Sequence, residues 1–293
     1  MDIIIGLSIF AVLAALYFGY KELEKRYYDY EVPDPKSHRS DILFGYYGSY
    51  GDTSSVDHTN LFWCVPHWEG LDKAVKDIRI ANKYTVLDLQ ACLFEKKVGD
   101  KVYTPFPEEQ QQHLLISLFN RLRHEGLLHL VKILYPVDEP NLPETAVDDY
   151  MPAAIALVRK IADKYPELNG YKIGVSFYFD KPMQHIGLYD VVGFNNYNAK
   201  SGIFRRKWLW KGEGQYFQMK KLLRPDQRTW TYPGGTYGQD PKSFINFAHS
   251  NPEVLAIIPF IYSVPPWETT FKGIKDIPEM LAKYREAGLS LLK

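Results

Sequence analysis

The sequence predicts a (β/α)8 barrel, a TIM barrel, preceded by an N-terminal transmembrane helix. Three observations carry that reading. From Asp41 onward, short apolar runs rich in β-branched and aromatic residues alternate with longer stretches of helical periodicity. Eight such runs fit within the chain, and strand–helix alternation implies parallel strands, which over ~250 residues close into a barrel. Ahead of them, residues 3–20, "IIIGLSIFAVLAALYFGY", carry no charge. An open doubly wound sheet is the competing arrangement, but no G-x-G-x-x-G turn follows the first strand.

The strands are expected at 42–48, 59–65, 84–90, 128–136, 171–179, 189–197, 228–234 and 254–263. Between them, helical periodicity covers 70–82, 107–126, 147–165, 214–223, 240–250 and 277–292, with a weaker segment around 181–188. Several of these helices open at Pro or Asp, residues that suit a helix start. No internal repeat or low-complexity tract interrupts the pattern.

Residues 3–20 would extend about 27 Å as a helix, close to the ~30 Å hydrocarbon core. A core helix would show a polar face, and this one shows none. Residues 1–20 therefore read as a transmembrane helix or signal anchor. A cleaved signal peptide fits less well, because "MD" offers no basic n-region. Residues 21–40, charged and Tyr-rich with Pro33 and Pro35, read as a linker, and 41–293 as the barrel. The expected location is the membrane, single-pass. Lys21, Lys25 and Arg26 after the span would keep the barrel cytoplasmic, whereas the residues at its mouth, taken below, point to an extracytoplasmic barrel.

With 35 basic and 35 acidic residues, the chain gives no support to nucleic-acid binding. Nucleotides are disfavoured too, since "YPGGTYG" (232–238) lacks the Lys-Ser/Thr of a phosphate loop. The histidines form no H-E-x-x-H arrangement, Cys64 and Cys92 have no metal-ligand spacing, and no G-x-S-x-G turn occurs. No metal and no cofactor are expected. The unusual figure is 15% aromatic, with 22 Tyr and 6 Trp. Tyr and Trp combine a large apolar face with a polar tip, a combination that suits wet binding sites as well as cores.

Function in such barrels is built at the C-terminal ends of the strands. Those ends carry Tyr46 and Tyr47 (strand 1), Trp68 (strand 2), Asp88 (strand 3) and Tyr135, Asp138 and Glu139 (strand 4). Asp180 follows strand 5, Asn195 and Tyr197 end strand 6, and Trp230 and Tyr232 end strand 7. Tyr262, Trp267 and Glu268 follow strand 8. Aromatics, amides and carboxylates with scarcely a cation fit sugars: C–H faces stack on the rings while amides and carboxylates bond hydroxyls. The substrate-binding candidates are Tyr46, Trp68, Tyr135, Asn195, Tyr197, Tyr232, Tyr262, Trp267 and Glu268. Adjacent carboxylates at a barrel mouth repel one another and are poorly solvated, which raises a pKa and suits a leaving-group acid.

"DEPN" at 138–141 resembles the Asn-Glu-Pro motif at the end of strand 4 in clan-A-type glycoside hydrolases, and "GFNNYN" and "PPWE" are similar to polar and Trp positions at the ends of strands 6 and 8 there. The resemblance implies a membrane-anchored enzyme that hydrolyses an oligo- or polysaccharide of a surface or envelope. Glu139 would be the general acid and Asp138 would stand where the family has Asn. The sequence departs from the family on strand 7, "RTWTYPGG", where a nucleophilic Glu is absent. Three explanations stay open. Asp180, Glu268 or Asp88 supplies an inverting base, with the ~6.5–9.5 Å carboxylate spacing such a mechanism needs. Or Asp138 orients a substrate acetamido group, as the Asp-Glu pair of substrate-assisted hexosaminidases does. Or the barrel binds glycan without cleaving it. A structural membrane protein with a protein partner is the reading from a third class.

Overall fold

The computed structural model describes residues 14–20, 32, 34–48, 52–66, 70–95, 102–143, 145–195, 197, 201–204, 214–264 and 269–292. Eight strands form one all-parallel sheet: β1 (Leu43–Phe44), β2 (Leu61–Cys64), β3 (Tyr84–Asp88), β4 (Val131–Tyr135), β5 (Lys172–Tyr178), β6 (Val191–Asn195), β7 (Arg228–Thr231) and β8 (Val254–Ile257). Their spatial order is β1-β8-β7-β6-β5-β4-β3-β2, that of a (β/α)8 barrel with a single seam between β1 and β2. Asn60 stitches that seam. Its N–H donates to Phe44 O at 3.0 Å, its Oδ1 accepts from Phe44 N at 2.6 Å, and its Nδ2 donates to Ile42 O at 3.2 Å. Backbones approach closely here: a Cβ on Gly45 would lie 2.2 Å from the Leu61 carbonyl oxygen.

Helices follow the strands for local reasons. In α1 (Leu71–Ala81), Ala74, Val75, Ile78 and Ala81 recur at helical spacing and are buried, and Asn82 closes the helix in the left-handed conformation. In α2 (Glu108–His124), Glu108 and Glu109 open the helix while Arg121, Arg123 and His124 end it, matching the helix dipole at both termini. After α3 (Met151–Ala162), the weakly periodic stretch 181–188 forms only a 3₁₀ turn, Ile186–Leu188. Pro182 and Gly187 leave too short a run for a helix. α4 (Gln215–Lys220) precedes β7. Asp240 caps α5 (Pro241–Ser250) by accepting from Lys242 N at 2.9 Å, and α6 (Pro278–Leu291) ends the chain.

The chain forms two compact units. Residues 34–198 and 222–293 contain all eight strands; residues 1–33 and 199–221 make up the other, in which Phe204 and Tyr216 meet at 6.4 Å. Inside the barrel, side chains of alternate parity pack together: Leu61, Trp63 and Val65 from β2 and its end, Val86, Ile133 and Tyr135, Val191, and Trp230 and Tyr232. Trp230 is large for such an interior, and glycines make its space. A Cβ on Gly193 would meet the indole at 2.1 Å, and one on Gly174 at 2.5 Å.

The expected membrane span is corrected. Among the described residues no helix is long and apolar enough to cross a membrane. Of residues 3–20, the described part, 14–20, is helical, and residues 3–13 lie outside the described residues. An uncharged run supplies the composition of a span and does not by itself establish one. The signal anchor, the membrane as partner, the single-pass location and the orientation argument fall with it.

Candidate functional site

The chain leaves β4 through Pro136 and the buried Val137. Asp138 then bridges in parallel to Ser176 of β5, so the strand pairing continues to the first carboxylate. Asn141 fastens the rest of the turn. Its Oδ1 accepts from Tyr178 N and its Nδ2 donates to Tyr178 O, both at 2.9 Å. Between these anchors Glu139 has φ +43°, a left-handed conformation that few non-glycine residues take and that recurs at functional sites. Its Oε1 accepts from Asn195 Nδ2, at the end of β6, at 2.7 Å.

The two neighbouring carboxylates thus meet different partners. Asp138 Oδ2 accepts from the Tyr47 hydroxyl at 2.8 Å and Oδ1 from the Tyr135 hydroxyl at 2.5 Å. Its backbone N–H donates to Gln90 Oε1 at 3.4 Å, and Gln90 N in turn donates to Asp88 Oδ1 at 2.8 Å. Burial pushes the Asp138 carboxyl above its ordinary range, and the hydroxyls of Tyr135 and Tyr47 pull it back. Asp88 is pushed up to about 8, first by burial and also by the charge of Asp138, against the pull of the Gln90 N–H. Tyr47, Tyr135, Tyr197 and Tyr232 are raised well above 10, chiefly by burial.

Aromatic rings wall this acid group. Trp63 packs against Tyr47 at 4.8 Å and Tyr135 at 4.7 Å, and Trp230 lies 5.6 Å from Trp63. The Tyr232 hydroxyl bonds Ser176 Oγ. Tyr197 stacks on Phe260 at 4.2 Å, and Phe260 stacks on Tyr47 at 5.7 Å. Beneath Glu139, Asn195 Oδ1 is buried without a hydrogen-bond partner among the described residues, as are the indole N–H groups of Trp63 and Trp230. No group of His, Cys, Asp and Glu able to hold a metal ion occurs among the described residues.

The structure brings Asp138, Glu139, Tyr135, Asn195, Tyr197 and Tyr232 together. Tyr46 and Tyr262 lie elsewhere. Tyr46 points out of the barrel, 4.7 Å from Tyr262 and 6.4 Å from Tyr284 of α6, with its hydroxyl 3.0 Å from His58 Nε2. Trp68, Trp267 and Glu268 fall outside the described residues. Of the other carboxylates weighed as a base, Asp88 lies beside the pair and Asp180 is exposed after β5. Tyr47 and Gln90 stand at strand ends in the sequence without being among the binding candidates, and Trp63 is not marked out there at all. Strand parity is the signal for Tyr47: Leu43 packs with the barrel core and Tyr47 shares its parity, whereas Phe44 and Tyr46 share the outer face. On β7 the inward side chains at the mouth are Trp230 and Tyr232, and neither can replace a carboxylate.

Fold and site together define a parallel eight-stranded barrel with a paired acid motif at the end of its fourth strand. No family model and no curated protein matches the chain. Among solved structures it is similar to a Ruminococcus gnavus β-glucuronidase, at 10% identity and a TM-score of 0.46, covering 84% of this chain and 49% of that one. An apo structure of a β-glucuronidase from Ruminococcus gnavus gives 10%, 0.47, 85% and 50%. A GH2 β-galacturonidase from Eisenbergiella tayi, bound to galacturonate, gives 10%, 0.45, 80% and 46%. The chain spans about half the length of these structures. Likeness this distant concerns fold and carries no argument about substrate or catalysis.

Proposed function

We propose that the chain is a glycoside hydrolase in which Glu139 protonates the leaving oxygen of a glycan and Asp138 supports the positive charge that develops on the sugar. One observation carries this: two adjacent carboxylates are held in unlike settings, Asp138 between two tyrosine hydroxyls and Glu139 turned onto Asn195. Paired acids whose surroundings separate their roles are what acid–base cleavage requires. The aromatic walls suit the C–H faces of a pyranose.

In the step itself, the proton leaves the Glu139 carboxyl for the glycosidic oxygen as the C1–O bond breaks. Water then adds to C1, and its proton returns to Glu139. With no carboxylate on β7, a covalent glycosyl-enzyme of the usual retaining kind lacks its nucleophile. Attack therefore falls to water or to a 2-acetamido group of the substrate.

The test is a panel of aryl glycosides and polysaccharides, with and without 2-acetamido groups, on the full chain. Glu139→Gln is expected to lower turnover about 10³-fold with sugar binding retained. Undiminished hydrolysis in that variant overturns the proposal. A second reading, glycan binding without cleavage, is favoured by the Trp230 and Tyr232 side chains on β7. Its signature is saturable sugar binding with no reducing ends released by wild type.

A further inference from the structure

Tyr47 stands at the end of β1 and Tyr135 at the end of β4, so the two reach Asp138 from different sides of the barrel. Each phenol carries one proton, and both are given to Asp138, one per oxygen. A carboxylate can accept from both at once, one hydroxyl at each oxygen. Trp63 packs against both phenol rings and holds them at this separation. Gln90 accepts from the Asp138 N–H and fixes the backbone behind the carboxylate.

We infer that Tyr47 and Tyr135 are positioning residues, a two-hydroxyl clamp that favours the ionised form of Asp138 and holds it in one plane beside Glu139. This rests on the proposed hydrolase reading for its use, though not for its geometry. The clamp is needed because the surroundings oppose the charge. Asp88 on β3, Glu139 in the same turn, and Tyr103, Tyr197 and Tyr232 face or neighbour Asp138 together with the clamp itself. Among the described residues these neighbours are all acids or phenols, so none of them supplies positive charge. Donors to the charged form are what remain to favour it.

The full chain labelled with [γ-¹³C]aspartate permits a direct test by NMR, the Asp138 signal being identified by its loss in Asp138→Asn. Removing one donor to an ionised acceptor weakens the charged form about tenfold, one pH unit in the midpoint. The Asp138 titration is expected to move up by about that much in Tyr47→Phe and in Tyr135→Phe, and to stay put in Tyr46→Phe, whose ring points outward. Site-specific 3-fluorotyrosine at position 47, a stronger donor on the same ring, is expected to move it down. It serves where a Phe variant fails to fold. In active protein, the acidic limb of kcat/KM moves with the same sign. An unchanged midpoint in the folded Tyr47 variants overturns the clamp. A shifted midpoint in a chain that cleaves no glycan sustains the clamp and overturns the hydrolase reading.

Discussion

Tyr46 and Tyr47 are adjacent, both buried, and bonded to unlike networks. Tyr47 faces into the barrel and joins Tyr135, Asp138 and Trp63. Tyr46 faces outward to His58, whose Nδ1 bonds Asp57, which in turn pairs with Arg285 of α6. The outer network brings acid, imidazole and guanidinium together. Acid, base and cation satisfy one another, and the network ties β1 to the outer helix layer. The inner one gathers acids and phenols around Asp138, with an unpartnered amide oxygen on Asn195 nearby. A network closed upon itself stabilises; one with an unpartnered acceptor at the barrel mouth is fitted to meet something else.

Breaking one acid in each network sharpens that contrast most. Asp138→Asn is expected to lower turnover about 10²–10³-fold, an effect of lost electrostatic support. Asp57→Asn is expected to leave turnover intact and lower only the unfolding midpoint. Steady-state kinetics and thermal denaturation on both variants decide the matter, and equal loss of activity in the two would erase the distinction.

A smaller effect comes from glycines that make room on either side. A Cβ on Gly193 would strike Trp230, and one on Gly288 of α6 would lie 2.1 Å from the His58 carbonyl oxygen and against Phe44. Each Gly→Ala change is expected to cost about 1–3 kcal/mol through overpacking. Only Gly193→Ala is expected to alter activity as well, because Trp230 and Tyr232 share the acid site. Denaturant melts paired with kinetics would check both.

The pH dependence of stability should run in opposite directions in the two networks. His58 is held below 6.5, chiefly by burial, so its contribution is complete above the unfolded value and declines as pH falls beneath it. Asp88 is raised from 3.8 to about 8, so the inner site gives up stability as pH climbs from 3.8 through about 8. Replacing Asp88 by Asn should flatten the alkaline decline, and replacing His58 by Gln the acidic one. Unfolding midpoints measured across pH 4–9 would show either decline surviving its own substitution, if the assignment is mistaken.

All eight strands could be placed from the sequence within a few residues, because β-branched runs bounded by turn residues reflect the same burial that makes them strands. "DEPN" stood out for its residue types, and the structure seats it at the mouth through Asn141 and Ser176. Parity proved harder to read. Choosing Tyr46 over Tyr47 reverses a side chain, since a one-residue step in a strand moves it to the other face. β1 has only two paired residues, too few to show which face is apolar. Trp63 looks like core because its apolar bulk is core; its place between the phenols of Tyr47 and Tyr135 is a tertiary fact. The membrane span failed for another reason: an uncharged run reports composition alone, and no described helix is long and apolar enough to cross a membrane.

Asn60 has a consequence for association. A closed barrel has no edge strand, whereas an open sheet of the same strands has two, each a row of unpaired backbone groups ready to pair with another chain. β1 is short, and the Asn60 side chain supplies bonds that further strand would otherwise make. One amide therefore occupies backbone groups of β1 that an open edge would present to another chain.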